Sequence, residues 1–261
     1  MAKSALLTSH RLFIDTPLAT GGEAALDKAQ TNYLLNVLRL PDGAQILVFN
    51  GKDGEFRANL ALADRKSAGR KSASLSIEAR TRPQPPASKL HYYFAPLKHA
   101  RLDYMAQKAV EMGVSMLAPV ITQRTQATRV NLERLRANAI EAAEQCELLS
   151  LPEIVVERPL MQVLDAWPPD RLLIFCDENA PVADPVAVLR GAAARGYGAS
   201  GAEHIAVLIG PEGGFDRAER AALLRLPAVL PLSLGPRILR ADTAAVAALA
   251  LVQAVLGDLR G

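Results

Sequence analysis

The chain has 261 residues, half of them hydrophobic and 22% charged, a globular composition with apolar material for one large or two ordinary domains. Its formal net charge of +3 permits an RNA partner without indicating one. The two cysteines, Cys146 and Cys176, form no CxxC pair, and the four histidines lack metal-ligand spacing, so neither a disulfide framework nor a metal site is expected.

The start, Met1-Ala2-Lys3-Ser4, leads into only a very short apolar stretch, which predicts no secretory leader and a cytoplasmic protein. Alternating apolar runs follow over 44–49, 56–62 and 74–77. They are separated by Pro41-Asp42-Gly43 and Asn50-Gly51-Lys52-Asp53-Gly54, both strong turn signals. A small β-rich domain or barrel is therefore expected over 1–80. Arg65, Lys66, Arg70 and Lys71 form a basic tract in it, which is either a solvated loop or a phosphate contact. Residues 81–87 carry Pro83, Pro85 and Pro86 and predict an extended spacer.

From 88 to 261 strands alternate with helices, which predicts an α/β domain with a mainly parallel sheet. The expected strands are 90–95, 114–121, 172–176, 205–209 and 229–232. Leu102, Met105, Ala106, Ala109 and Val110 share one face of a helix over 101–112, with Gly113 as its C-terminal stop. A second helix is expected over 131–146, and a third from Asp216, whose pairing with Glu219 reads as a capping box. The last helix, 243–256, is apolar nearly all round and must be buried in a core or in a subunit interface. Its apolar segment is broken by Gln253 and is too short to span a bilayer.

Two loops concentrate the unusual residues. Leu208-Ile209-Gly210-Pro211-Glu212-Gly213-Gly214-Phe215 and Leu234-Gly235-Pro236-Arg237-Ile238-Leu239-Arg240-Ala241-Asp242-Thr243 each end an apolar run, insert Gly and Pro, and open a helix. Glycines after a strand let the backbone approach a ligand closely, and two such loops suggest one crevice. Neither reads GxxxxGK[ST] or GxGxxG, so a phosphate-cradling loop and a dinucleotide fingerprint are unsupported. Glu212 is a solvated carboxylate, a partner for backbone amides, or a group close to a bound cation. Arg237 and Arg240 stand three apart at the mouth of the second loop, where a guanidinium fork suits carbonyl or phosphate oxygens. Lys98, Arg101 and Arg124 follow predicted strands and together could hold phosphates. Asp242-Thr243 reads as the N-cap of the last helix.

"IGPEGGF" followed by "LGPRILRADTA" resembles the last two motifs of the SPOUT methyltransferases. With "LKHARLDYMAQKAVEMGV", "EAAEQCELLSLPEI" and "YLLNVLRLPDGAQILVFNGKDGEFRANL", the chain is similar over most of its length to their ribosomal RNA small-subunit methyltransferase E family. That resemblance implies a PUA-like N-terminal domain, a C-terminal SPOUT domain with a deep trefoil knot, and a homodimer. It also implies S-adenosyl-L-methionine as cofactor and methylation of a uridine N3 in 16S ribosomal RNA. The implied cofactor residues are Leu208, Ile209, Gly210, Pro211, Gly213, Gly214, Leu234, Gly235, Ile238, Leu239 and Thr243. Arg240, Glu212 and Arg124 are the expected catalytic residues. His10, Arg11, Arg39, Arg65, Lys66, Lys98 and Arg101 are the expected RNA contacts. The chain departs from the family after Cys146, where Glu147-Leu148-Leu149-Ser150-Leu151 stands in the stretch that commonly carries a Gly-Arg pair before the Pro-Glu. The competing readings are a SPOUT enzyme on another RNA and a catalytically silent RNA-binding assembly factor.

Overall fold

The structure, a computed structural model, describes residues 10–62, 72–127, 129–181, 184–198 and 205–260. The basic tract Arg65, Lys66, Arg70 and Lys71 lies outside the described residues. The chain divides into two units, Met1–Pro86 with Ala143–Ser150, and Ala87–Ala142 with Leu151–Gly261.

The first unit holds β1 (Arg11–Phe13), β2 (Glu23–Ala25), α1 (Lys28–Asn32), β3 (Gln45–Phe49), β4 (Glu55–Leu62) and β5 (Ala73–Arg82). The strands pair in the order β1-β3-β4-β5-β2, antiparallel except for β1 with β3. Side chains two apart share a face. Phe56, Ala58 and Leu60 of β4 thus turn to the same core as Leu75 and Ile77 of β5 and Ile46 and Val48 of β3. The turn before β4 is built by Asn50, whose Oδ1 accepts from the amides of Lys52 (3.0 Å) and Asp53 (2.8 Å). Helix α1 opens on a capping box between Asp27 and Gln30. It runs on through a π turn, Tyr33–Val37, and Arg39 closes it in the left-handed region at φ 55°.

Strand β5 continues through Thr81 and Arg82, two residues into the stretch whose prolines predict a spacer. The reason is Glu55, buried to 1% exposure. Its carboxylate accepts from Thr81 Oγ1 (2.7 Å) and Arg82 Nε (3.0 Å), and pairs with Arg11 Nη2 at 2.8 Å. Burial alone would push this carboxyl up, but Arg82, Thr81 and Arg11 hold it below its ordinary value. Glu147 joins from residues 143–150, its carboxylate 3.2 Å from Arg11 Nη1. Its backbone takes φ 61°, the left-handed conformation that glycine adopts without strain, within the stretch where the family resemblance expects a Gly-Arg pair. Glu144 Oε1 accepts the Phe13 N–H at 2.9 Å, extending the hydrogen bonding of β1.

The second unit holds β6 (Leu90–Phe94), α2 (His99–Glu111), β7 (Met116–Ile121), α3 (Leu132–Gln145), β8 (Glu153–Ile154) and β9 (Arg158–Pro159). There follow α4 (Leu160–Asp165), β10 (Leu172–Cys176), α5 (Pro185–Ala194), β11 (Ile205–Ile209), α6 (Arg217–Leu223), β12 (Val229–Leu232) and α7 (Ala241–Leu256). The last turn of α3 is counted with the first unit. The sheet is parallel throughout, in the order β12-β10-β11-β6-β7-β8, with β9 on β7. β6 and β11 are buried at every residue, as strands covered on both faces must be, which is why they read as continuous apolar runs. β11 lies between β10 and β6, so the strands fan out to both sides of the β11–β6 pair.

Helix α2 ends at Gly113, φ 74°, and α6 opens on the Asp216–Glu219 capping box. Helix α7 begins at Ala241 with Arg240 at the N-cap position, two residues before the expected start. Asp242 is therefore inside its first turn, where a carboxylate favours the helix dipole, and not its cap. Gln253, the polar break in that helix, is buried at 4% exposure, and its amide donates to the Met112 carbonyl at 2.5 Å. Val246, Ala247, Ala250, Leu251 and Val255 of α7 stay half-buried. Among the described residues no helix is long and apolar enough to cross a membrane, and no group of three or more His, Cys, Asp or Glu residues could hold a metal ion.

Candidate active site

In a parallel sheet the loops at the carboxyl ends of the strands build the site. A cavity of about 240 Å³ lies where β10, β11 and β12 end. A buried water needs about 10–15 Å³ of comparable space, so an organic ligand suits this cavity better than a solvent molecule. The β11 loop contributes Ile209 to Glu212, Gly214 and Phe215. The β12 loop contributes Leu232 to Leu239, and α7 adds Ala241 and Ala244. The β10 loop contributes Cys176, Asp177, Glu178 and Asn179, which the motif reading misses. The available signal was the apolar run 172–176 ending in Cys-Asp-Glu-Asn, a third strand end on the same edge of the sheet.

That third loop is firmly held. Asp177 Oδ1 accepts the Asn179 N–H at 3.0 Å, and Oδ2 takes Arg220 Nε of α6 at 2.8 Å. Burial pushes the Cys176 thiol up to about 12, with Asp177 adding to the shift, so the sulfur is a neutral thiol and no nucleophile at neutral pH.

The glycines serve different ends. A Cβ on Gly210 would stand 2.8 Å from Phe215 Cζ, so this glycine makes room for a ring of its own loop. Gly214 (φ 69°) and Gly235 (φ 97°) need the left-handed backbone. A Cβ on Gly235 would meet nothing within 4 Å, so open space lies over that residue. Among the described residues the backbone N–H groups of Leu234, Gly235 and Leu239 have no hydrogen-bond partner. They are donors at the cavity, open to solvent or to a ligand.

Arg101, near the start of α2, crosses to the two motif loops. Its Nε and Nη2 fork onto Asp242 at 2.9 and 3.1 Å, and its Nη1 binds Glu212. The fork holds the Asp242 carboxyl below its usual range, and Arg101 is itself stabilised as a cation. Arg124 Nη1 donates to the Gly213 carbonyl at 2.5 Å.

The other expected residues are placed as follows. Leu208 is buried in β11 within the core and Thr243 is exposed on α7, both outside the cavity lining. Gly213 lines a second cavity beside the first. Ile238 is 91% exposed at the mouth. Arg240 is exposed and its guanidinium has no hydrogen-bond or ion-pair partner among the described residues, whereas its neighbour Arg237 lines the cavity. Arg11 lies in the Glu55 ion network, while His10 and Arg39 are exposed in the first unit.

Comparison with known proteins bears on the fold and the family. A ribosomal RNA small subunit methyltransferase E of Rickettsia conorii is 29% identical over 245 residues, 94% of this chain and 95% of that protein. The structure of a ribosomal RNA small subunit methyltransferase E from Neisseria gonorrhoeae, bound to S-adenosyl methionine, superposes with a TM-score of 0.78 at 26% identity. It covers 96% of this chain and 99% of its own. A Legionella pneumophila protein solved with the cofactor SAM gives 0.79 at 27% identity, over 94% and 97% of the two chains. Residues 26–68 match the RNA methyltransferase PUA domain. With residues 83–253 matching the RNA methyltransferase domain, well over half its length, the chain belongs to the RNA methyltransferase domain family.

Proposed function

We propose that this protein is a cytoplasmic, S-adenosyl-L-methionine-dependent methyltransferase that methylates N3 of a uridine in 16S ribosomal RNA. The observation that carries the reading is the cavity at the β10, β11 and β12 ends, with its unpartnered amides on the 234–239 loop. Its residues fit the cofactor's chemistry. The amides of Leu234, Gly235 and Leu239 would serve the acceptor atoms of an adenosine, and Ile209, Leu234 and Leu239 would pack on its apolar faces. Glu178 brings a carboxylate to a ligand with positive charge, while Glu212 beside it is paired with Arg101. When bound, S-adenosylmethionine supplies an electrophilic methyl group on a sulfonium.

Uracil N3 carries a proton and is a poor nucleophile until that proton leaves. Arg240, whose guanidinium has no partner among the described residues, would donate to a uracil carbonyl oxygen as negative charge develops there. The same contact lowers the pKa of the N3 proton, and water or Glu212 accepts it. The N3 lone pair then forms the bond to the methyl carbon as the carbon–sulfur bond breaks, giving N3-methyluridine, S-adenosylhomocysteine and one proton. In this reading the first unit, with His10 and Arg39, binds RNA. The half-buried apolar stripe of α7 meets a second copy of the chain, and the trefoil knot of the SPOUT fold belongs to the same reading. Arg240→Ala is expected to lose about 10²–10³-fold in turnover. It should still gain about 2.7 kcal/mol of thermal stability from S-adenosylmethionine at a hundredfold its Kd. Lost cofactor binding with normal single-turnover chemistry would move the charge-stabilising role to Arg124 or Lys98.

A further inference from the structure

The segment Pro211–Gly213 is a wall with a different cavity on each side. On one side the charged lining is Asp177, Glu178 and Glu212 against Arg220 and Arg237, with Asp177 and Arg220 paired to each other. On the other side is a cavity of about 200 Å³, bounded away from the wall by Pro96, Leu97, Lys98, Arg101, Arg124 and Gln126. Three cations meet there with one carboxylate, Glu212, which lines this cavity as well, and the cations are not equivalent. Arg101 is committed to Asp242 and Glu212. The Lys98 ammonium has no partner among the described residues. Arg124 uses one N–H on the Gly213 carbonyl, and a guanidinium has five. The Gln126 amide also has no partner among the described residues.

We infer that this second cavity is a subsite for a backbone phosphate of the RNA strand that carries the target nucleotide, and that Arg124 couples its occupation to the cofactor loop. The inference rests on the methyltransferase reading above. A phosphodiester presents two free oxygens, which match the fork of Arg124, with Lys98 as a third donor. The wall is one loop thick, so a strand fixed in the second cavity is held beside the methyl donor's cavity. Arg124 then bridges the phosphate and the Gly213 carbonyl. Fixing that carbonyl fixes the wall that both cavities share, and the coupling must be reciprocal: bound RNA tightens the cofactor and bound cofactor tightens RNA.

The test uses the full chain as wild type, Lys98→Gln, Arg124→Gln and Arg124→Lys. Calorimetry reads the affinity for S-adenosylhomocysteine alone and with saturating, unmethylated small ribosomal subunits, and subunit binding is followed against salt. Wild type should bind S-adenosylhomocysteine about 5-fold or more tighter with subunits. Lys98→Gln should keep its affinity for S-adenosylhomocysteine alone and lower the salt slope of subunit binding by about 1. Arg124→Gln should lose the coupling and Arg124→Lys recover only part. Unchanged salt slopes with full coupling in every variant, alongside normal methylation, would overturn this inference and leave the methyltransferase reading standing. Wild-type protein that binds S-adenosylhomocysteine yet methylates no subunit RNA would overturn both. Inorganic phosphate tightening S-adenosylhomocysteine as strongly as subunits do would assign the cavity to a free phosphate and overturn the RNA assignment.

Discussion

Gly210→Ala separates two reasons for a glycine in the β11 loop. If the glycine serves close approach of a ligand, a methyl group costs affinity; if it serves packing, it costs stability. Gly210 does not lie in the left-handed region, so its backbone accepts a side chain. The added Cβ would stand 2.8 and 2.9 Å from Phe215 Cζ and Cε2. That is about 0.7 Å inside the roughly 3.5 Å at which carbon atoms touch. Phe215, which meets Phe175 edge-on at 6.0 Å, must then shift. Overpacking of this kind costs about 1–3 kcal/mol, and the reduced freedom of the unfolded chain returns about 0.4–1. The net loss, up to about 2.6 kcal/mol, lowers the melting temperature by up to about 10 °C. Leucine at 215 lacks the outer ring atoms, so in the Phe215→Leu background Gly210→Ala should cost almost nothing. A thermal double-mutant cycle measures this, with S-adenosylhomocysteine affinity read in parallel. Additive effects of the two substitutions, or lost affinity at unchanged stability, would refute the packing argument.

Glu55→Gln leaves Arg11 and Arg82 facing a neutral amide and should cost about 3–5 kcal/mol at neutral pH. Because the Glu55 carboxyl is held below its ordinary value, its stabilisation is complete above the unfolded pKa of about 4.3 and fades as pH falls below it, so the wild-type advantage in denaturant melts should shrink in acid. Arg101→Gln removes the fork on Asp242 and should cost about 1–3 kcal/mol. It should also raise the Asp242 carboxyl toward its ordinary value in a carbon NMR titration, and an unmoved titration would deny the pairing. Leu251→Glu on the half-buried stripe of α7 should weaken a homodimer at least tenfold by light scattering, whereas a wild type that is monomeric at micromolar concentration would remove the dimer from the account.

The second unit was legible because its signals are local. Strands 172–176, 205–209 and 229–232 are continuous apolar runs bounded by breakers, and they fold over those same residues. The Asp216 capping box is likewise complete within four residues. What escaped depends on residues far apart in sequence. The extension of β5 through Arg82 is set by Glu55, and a Pro-rich stretch hides it. Arg101 read as a free cation because Asp242 lies 141 residues away. Asp242 in turn read as a cap because no local pattern shows that the helix starts at Ala241. The β10 loop joins the site through the sheet order, which periodicity does not encode. Glycine composition located the β11 loop, but only the Phe215 ring shows what Gly210 makes room for.

Mass spectrometry of 16S ribosomal RNA from cells lacking this protein, with and without the gene restored, tests the central claim most directly. The account predicts that one N3-methyluridine disappears on deletion, returns with the wild-type chain, and returns at a strongly reduced level with Arg240→Ala. An unchanged set of methylated uridines in the deletion strain, or a loss confined to a ribose methyl group or to another RNA, would contradict it.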